Sequence, residues 1–457
     1  MAPTSAFTQF WQTDLTRDCF LSLLDKEDLR ALRLVSHEFS VHTARYLFAE
    51  IEVSFRSSTF TRPARMAALE RIGRHVNTLT FKMPHSHETF LPPLLDPVTG
   101  EEQTFVYSPQ VHVSSTLASR WSKPKYGSWE MTDLLVKQYP PLFHAATNVP
   151  SFVRAFSCMP SLRHLMVSCD GQSPDHRYRR SVVDYALISL RVAVEQAPLK
   201  SLETLSLLPI HPGGILYLRP MMGFGASPAS RKRWMQIRKL AIHMESFPYE
   251  RGQAIDHLKL LHSYLEGFPN LRSFVFRWKG LKGPSPLSLA TEPCLCEPSP
   301  RQTCPKRYAR PLRPLKFRQL RYMELENAIL DASQVSAFIL EHRHTLSEFE
   351  FEDVILRSGT WDDALAPLTK ISGSDAWKAK QEEVMEVPII LSPVEVEETR
   401  RPRHSAVWEE QRRKALLRTL LEGANSLARA KAKARELFWG SPDHMKKFLR
   451  SSVFSWR

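Results

Sequence analysis

The chain has few cysteines and lacks any long apolar run. Six cysteines among 457 residues are too few for the disulfide scaffold of a small secreted domain. The opening MAPTSAFTQFWQTD has neither the basic segment nor the apolar stretch of a secretory signal. No apolar run approaches the roughly 18 residues that a membrane helix needs. We therefore expect a protein of the cytoplasm or nucleus with no membrane partner.

Glycine is scarce relative to proline, with 16 glycines against 33 prolines. Prolines spread along the whole chain interrupt helices, which favours many short elements over a few long ones. Apolar residues make up 43% of the chain, close to ordinary globular usage, so most of it should fold.

The sequence motifs of common enzymes are also missing. There is no phosphate-binding Walker loop and no Gly-x-Ser-x-Gly turn. Cys294, Cys296 and Cys304 give the only metal-like spacing, but the first pair is too close and a fourth ligand is not evident nearby. The sequence therefore predicts no catalytic residue, no metal site and no cofactor, and we expect a protein that is not an enzyme.

The segment 11–51 has a helical pattern of apolar residues. Leu15, Cys19 and Leu23 recur at helical spacing, which places Cys19 on an apolar face and predicts that it is part of a core. Asp25 followed by Asp28 is typical of an N-cap with an acidic third residue. The whole segment predicts a module of three short helices.

The second helix of this module carries apolar side chains on more than one side, because Leu32, Leu34 and Val35 lie close together in the chain. A short helix with two apolar faces needs two partners, its own module and a second protein.

This segment resembles an F-box, the helical module that docks on the Skp adaptor of cullin–RING ubiquitin ligases. The matching residues are Leu23-Leu24-Asp25, Asp28-Leu29, Leu32-Arg33-Leu34-Val35-Ser36, Phe39, Ala44 and Leu47-Phe48. The family usually opens with Leu-Pro-x-Glu, whereas this chain has Trp11-Gln12-Thr13-Asp14 without the proline. The resemblance implies an adaptor interface formed by Leu15, Leu23, Leu24, Leu29, Leu32, Leu34, Val35 and Phe39.

One short pattern, leucine-x-x-hydrophobic-x-hydrophobic, returns along the next three hundred residues and predicts a strand each time. Its instances are His75–Phe81, Leu162–Val167, Leu202–Leu207, Ile237–Ile242, Leu271–Phe276, Leu320–Leu325 and Leu346–Phe351. Helical patterns separate several of them, at Val182–Gln196, Ile255–Phe268 and Ala332–His342. A strand and a helix per unit bury their apolar faces only by stacking on neighbouring units. The spacing of the units is irregular, and the asparagine or cysteine usual after such strands is missing from the pattern.

The whole arrangement resembles the F-box proteins of filamentous fungi that carry divergent leucine-rich repeats. The fold class we expect is α/β: a three-helix F-box-like module at 8–51, an irregular leucine-rich-repeat-like solenoid at 52–371 and a helical basic tail at 404–457. Long insertions are expected at 85–124 and 280–314, and a disordered linker at 372–403.

The resemblance implies a substrate-receptor subunit of a Skp–cullin–F-box ubiquitin ligase. Its partners would be the Skp adaptor, cullin through that adaptor, and an unidentified target protein. The implied target surface is formed by polar residues that alternate with inward-facing leucines: Arg163, His164, Glu203, Arg238, Arg272, Arg321, Tyr322 and Glu348.

Two alternatives remain at the level of sequence. In the first, the helical module only caps the repeats of a stand-alone interaction scaffold. In the second, the basic tail binds nucleic acid, because residues 400–457 hold fifteen lysines and arginines against five acidic residues and so carry most of the net charge of +14. The other expectations for the tail are a solvated cationic helix, or a helix that folds back on the acidic linker or on the concave face of the repeats.

Overall fold

The structure is a computed structural model that describes residues 6–110, 124–171, 180–219, 228–247, 252–292, 295 and 312–368. Three features expected from the sequence lie outside the described residues: the linker at 372–403, the basic tail at 404–457 and the cysteines Cys294, Cys296 and Cys304.

The described residues contain fourteen α-helices. They are α1 Ala6–Gln12, α2 Asp14–Leu23, α3 Lys26–Val35, α4 His37–Leu47, α5 Pro63–Ile72, α6 Trp129–Gln138, α7 Pro141–Ala146, α8 Val149–Ser157, α9 Val182–Gln196, α10 Gly214–Leu218, α11 Pro228–Trp234, α12 Gly252–Leu265, α13 Ala332–His342 and α14 Trp361–Leu365.

The amino-terminal module has four helices rather than the three expected. An additional helix, α1, precedes the expected set, and Thr13 in an extended conformation (φ −79°, ψ 112°) separates it from α2. The predicted N-cap is confirmed, since the Asp25 carboxylate accepts hydrogen bonds from the backbone N–H groups of Glu27 (2.9 Å) and Asp28 (2.8 Å). The side chain of Ser36 caps α4 in the same way.

The described residues also contain thirteen β-strands. They are β1 Glu50–Ser54, β2 Thr78–Lys82, β3 Leu94–Leu95, β4 Glu102–Gln103, β5 His164–Ser168, β6 Thr204–Ile210, β7 Lys239–Glu245, β8 Ser273–Lys279, β9 Gly283–Pro284, β10 Tyr322–Glu326, β11 Ala328–Asp331, β12 Glu348–Glu352 and β13 Ile355–Ser358.

The main sheet has eight parallel strands in the order β1-β2-β5-β6-β7-β8-β10-β12. Within this sheet, each strand after β1 therefore pairs with the sheet strand that comes before it in the chain. Every one of these pairings is parallel. All seven strands predicted from the leucine pattern are present, as are the three predicted helices α9, α12 and α13. The fold is mixed α/β with a mostly parallel sheet.

The apolar residues of the leucine pattern form rows across the sheet. The first row, just before each strand, is buried and consists of Val76, Leu162, Leu202, Ile237, Leu271, Leu320 and Leu346. The next buried row within the strands is Leu79, Leu165, Leu205, Leu240, Phe274 and Met323, in hydrogen-bonded register. Residues between these rows are half-buried or exposed, which leaves polar side chains on the opposite face.

The last three units share a turn that the sequence pattern did not reveal. Gly280, Asn327 and Asp353 each follow a strand of the main sheet and each has a positive φ, of 104°, 59° and 53°. The Asn327 side chain also donates hydrogen bonds to the carbonyl groups of Trp278 (2.9 Å) and Gly280 (3.0 Å). An asparagine thus does turn the chain after a strand, contrary to the expectation from the pattern.

Each of these turns leads into a short strand of a second sheet, β13-β11-β9, which is parallel. The segment 280–314, expected as a long insertion, therefore supplies a short strand at Gly283–Pro284. The other expected insertion, 85–124, includes the antiparallel pair β3 and β4 in its described part.

Candidate interaction surfaces

Helix α2 has one buried face and one exposed apolar face. Leu21 is fully buried and Arg17 is buried four residues before it. On the other side, Leu15 is 80% exposed and Leu23 is 79% exposed, and Cys19 between them is also exposed. The expectation that Cys19 lies in a core is therefore wrong, because the helix turns this face to solvent.

Helix α3 is divided in the same way. Leu29 is only 3% exposed, whereas Leu34 is 88% exposed and Val35 is 67% exposed. The positively charged Arg33, between Leu32 and Leu34, lies over the ring of Phe48 with its guanidinium carbon 4.8 Å from the ring centroid.

The core of the helical module forms around four buried residues, Trp11, Leu21, Leu29 and Leu47. Leu24, Leu32 and Phe39 are half-buried and pack against this core. The eight residues expected at the adaptor interface therefore separate into three groups, of which the half-buried Leu24, Leu32 and Phe39 are one. Leu15, Leu23, Leu34 and Val35 are open to a partner, whereas Leu29 offers no surface to one because it holds the module together.

Four further apolar side chains of the module are exposed: Phe7, Phe10, Phe20 and Val41. Phe10 and Phe20 pack edge to face with their ring centroids 5.8 Å apart, so they join α1 to α2. The helical spacing of Phe7 and Phe10 before Trp11 was the available signal for α1.

The unusual opening Trp11-Gln12-Thr13-Asp14 has a definite structure. The Trp11 ring lies in the module core and meets the Phe39 ring edge to face, with centroids 4.4 Å apart. Asp14 is the first residue of α2, where the helix dipole favours a carboxylate, and it pairs with Arg17. Helix α2 therefore begins at a stable position without a proline.

The eight residues expected at the target surface fall into two neighbouring rows at the amino-terminal ends of the strands. In the first row, the backbone N–H of each residue donates a hydrogen bond to the backbone carbonyl oxygen of its neighbour. These bonds run from Glu203 to Arg163 (3.0 Å), from Arg238 to Glu203 (2.8 Å), from Arg272 to Arg238 (2.7 Å) and from Arg321 to Arg272 (2.8 Å). In the second row, His164, Tyr322 and Glu348 occupy equivalent positions of β5, β10 and β12. All eight are exposed or half-buried.

Three arginines are direct neighbours in the first row, and we name Arg238, Arg272 and Arg321 the arginine row. Arg238 and Arg321 are exposed and Arg272 is half-buried. Among the described residues, no ion pair joins any of these guanidinium groups to a carboxylate, whereas the neighbouring Arg277 pairs with Glu326 at 3.1 Å.

The final strands of the sheet carry the opposite charge. Their polar face presents five glutamates, Glu324, Glu326, Glu348, Glu350 and Glu352. Burial raises the pKa of Glu326 above its ordinary value. Nearby carboxylates act in the same direction, and Arg277 opposes the rise. Burial and a hydrogen bond to Glu324 (2.7 Å) likewise raise the pKa of Tyr322. The polar face of the sheet therefore changes from basic to acidic towards β12.

In the part of the chain that the structure describes, no group of three or more histidine, cysteine, aspartate or glutamate side chains is placed to hold a metal ion. Within the same residues, no helix combines the length and apolar character needed to cross a membrane.

Comparison with known proteins gives little to add to this geometry. No family model and no curated protein matches the chain. One matching solved structure is that of a GH10 endoxylanase retrieved from a sugarcane soil metagenome, which is 13% identical over 66% of this chain and 85% of its own chain, with a TM-score of 0.18. The resemblance to F-box proteins with leucine-rich repeats is tested by none of these comparisons and stays a prediction.

The expectation that the chain is not an enzyme is contradicted by this structural match, because the matched protein is an enzyme. We therefore withdraw that expectation. A TM-score of 0.18 carries no argument about this chain's fold or activity, so the match puts no reaction in its place.

Proposed function

We propose that the chain is a receptor subunit of a Skp–cullin–F-box ubiquitin ligase, which binds the adaptor through α1–α4 and a target protein through the polar face of the main sheet. In this proposal the stacked strand units form a leucine-rich-repeat-like solenoid, and cullin joins through the adaptor. The receptor brings a target lysine close to ubiquitin carried by the ligase, which raises the effective concentration of the two reactants.

The observation that carries the proposal is the exposure of Leu15, Leu23, Leu34 and Val35 on helices whose opposite faces place Leu21 and Leu29 in the module core. A module that only capped the sheet would turn its apolar faces towards the rest of the chain. Covering an exposed leucine or valine stabilises a complex by about 1.5–3 kcal/mol. Four such residues provide enough apolar surface to favour a protein partner over a solvated cap.

The order of the strands supports the solenoid. Each strand of the main sheet is hydrogen-bonded to the preceding strand of the same sheet, and the positive-φ turn recurs after β8, β10 and β12. Repeated units stacked in chain order are the arrangement expected of such arrays.

The test is co-purification with the Skp adaptor after replacement of two exposed residues, in the double variant Leu34→Asp, Val35→Asp. We expect adaptor binding to weaken by at least about a hundredfold, because two buried apolar contacts are replaced by carboxylates that must be desolvated. Since Leu34 and Val35 lie outside the module core, the variant should unfold at the same denaturant concentration as the unchanged chain.

The matched control is Val98→Asp, Leu281→Asp, which places two carboxylates at exposed apolar positions away from the helical module. It should bind the adaptor as well as the unchanged chain. Adaptor binding that survives in the Leu34, Val35 variant, or no adaptor binding by the unchanged chain, would refute the proposal and leave the stand-alone scaffold.

A further inference from the structure

The arginine row has an electrostatic cost within the isolated chain. Neighbouring strands lie about 4.8 Å apart, and backbone hydrogen bonds place Arg238, Arg272 and Arg321 at adjacent positions on them. Like charges directly opposite each other on paired strands are destabilising. The structure provides no ion pair that would compensate any of the three among the described residues.

We propose that the arginine row binds a short acidic segment of the target protein, with aspartate or glutamate carboxylates on the three guanidinium groups. This inference deepens the proposed function and rests on it, because it names the chemistry by which the target would be recognised. Arginine suits this role since its planar fork binds a carboxylate through two parallel hydrogen bonds.

The dimensions of the row indicate how long the acidic segment is. The distance from Arg238 to Arg321 spans two gaps between strands, or about 10 Å. An extended chain covers that distance in about three residues. A segment with two or three acidic residues close together therefore matches the row, and Lys239, which is exposed beside Arg238, adds a further positive charge at one end.

The charges around the row favour a short protein segment over a nucleic acid. Glu203 precedes Arg238 in the same row, and Glu348 lies on the strand that follows Arg321. Beyond it are Glu350 and Glu352 on the same strand. A long polyanion would meet these carboxylates on both sides, whereas a segment confined to three strands would not.

The test uses a fluorescein-labelled peptide of three consecutive glutamates flanked by glycine and serine, with a glutamine version as its control. Binding to the purified full-length chain is measured by fluorescence anisotropy at low and high salt. We expect the glutamate peptide to bind, the glutamine peptide to bind more than about tenfold more weakly, and salt to weaken binding.

The variant Arg238→Glu, Arg272→Glu, Arg321→Glu should lose more than about tenfold in affinity for the glutamate peptide. Its matched control, Arg56→Glu, Arg62→Glu, Arg65→Glu, makes the same change in net charge at exposed arginines outside the polar face of the sheet, and its affinity should stay within about twofold. A triple glutamine variant of the row removes the three charges without reversing them. It should show the same loss of affinity, and it replaces the glutamate variant if charge reversal prevents folding.

Four results would overturn the inference. Two are equal losses of peptide affinity in the row and control variants, and equal binding of the glutamate and glutamine peptides. The others are binding of a phosphoserine peptide or an oligonucleotide but not of the glutamate peptide, and binding of the glutamate peptide that appears only after residues 380–399 are deleted. The last would show that the row is covered by the chain's own acidic run at Glu382–Glu398. Adaptor binding, measured on the same samples, separates these outcomes from failure of the proposed function, since the row variants should bind the adaptor unchanged.

Discussion

His342 and His85 are two buried histidines whose pKa is lowered by burial. His342 ends α13, a position that favours a cation, yet it is buried between two backbone groups. Its Nδ1 lies 2.9 Å from the carbonyl oxygen of Phe338, and its Nε2 accepts a hydrogen bond from the backbone N–H of Phe317 at 3.2 Å. Burial lowers the pKa of His342, so packing prevails over the helix dipole at this residue.

His85 allows a prediction about acid stability. It follows β2 and is buried, with its Nδ1 3.4 Å from the hydroxyl of Ser181, the N-cap of α9. Burial lowers the pKa of His85 from 6.5 to about 4, against a smaller opposing effect of Asp170. The unfolded chain therefore binds a proton below pH 6.5 that the folded chain binds only near pH 4, and stability is lost as the pH falls through this interval.

We expect His85 to contribute about 2 kcal/mol to the loss of unfolding free energy between about pH 7.5 and about pH 5. Urea unfolding at the two pH values measures it, with His85→Gln as the variant and His344→Gln, at an exposed histidine, as the control. A His85→Gln variant that loses as much stability on acidification as the unchanged chain would contradict the assignment.

At the scale of the element, α3 allows a direct test of its two faces. Leu29→Ala should lower the free energy of unfolding by about 2–5 kcal/mol, because it leaves a cavity between α3 and the core residues Trp11, Leu21 and Leu47. Leu34→Ala on the same helix should change it by less than about 0.5 kcal/mol. Similar losses from both variants, in denaturant unfolding, would show that the exposed face is covered within the chain.

The elements with a strong local signal were predictable from the sequence. The leucine pattern located all seven of its strands, and the bounds of α9 and α13 coincide with the predicted helical segments. Residues such as Leu205 and Leu240 are buried in the same register because each unit repeats the same alternation.

What escaped prediction depends on contacts with distant residues. The short strand at Gly283–Pro284 has no pattern of its own and exists because it pairs with Ala328 and Ile329. Leu29 and Leu34 cannot be distinguished by composition or spacing, since the positions of Trp11 and Phe39 on other helices decide which face is covered. The three residues of the arginine row were expected at the target surface, but their direct hydrogen-bonded adjacency is fixed only by the pairing of their strands.

At the scale of the whole molecule, the two surfaces are chemically different and serve different proposed partners. The helical module exposes leucine, valine and phenylalanine, whereas the polar face of the sheet carries the arginine row before β7, β8 and β10 and glutamates on β10 and β12. An adaptor held by apolar burial should be insensitive to salt, and a target held by the arginine row should be sensitive to it. This difference allows each partner to be studied while the other is disrupted.

The central claim is that the exposed apolar residues of α2 and α3 bind a Skp adaptor, and isothermal titration calorimetry of the purified adaptor into the purified chain tests it most directly. We expect saturable one-to-one binding with a negative heat-capacity change, since apolar surface is removed from water. We expect that binding to be lost in the Leu34→Asp, Val35→Asp variant. No measurable binding by the unchanged chain, or equal binding by the variant, would contradict the account.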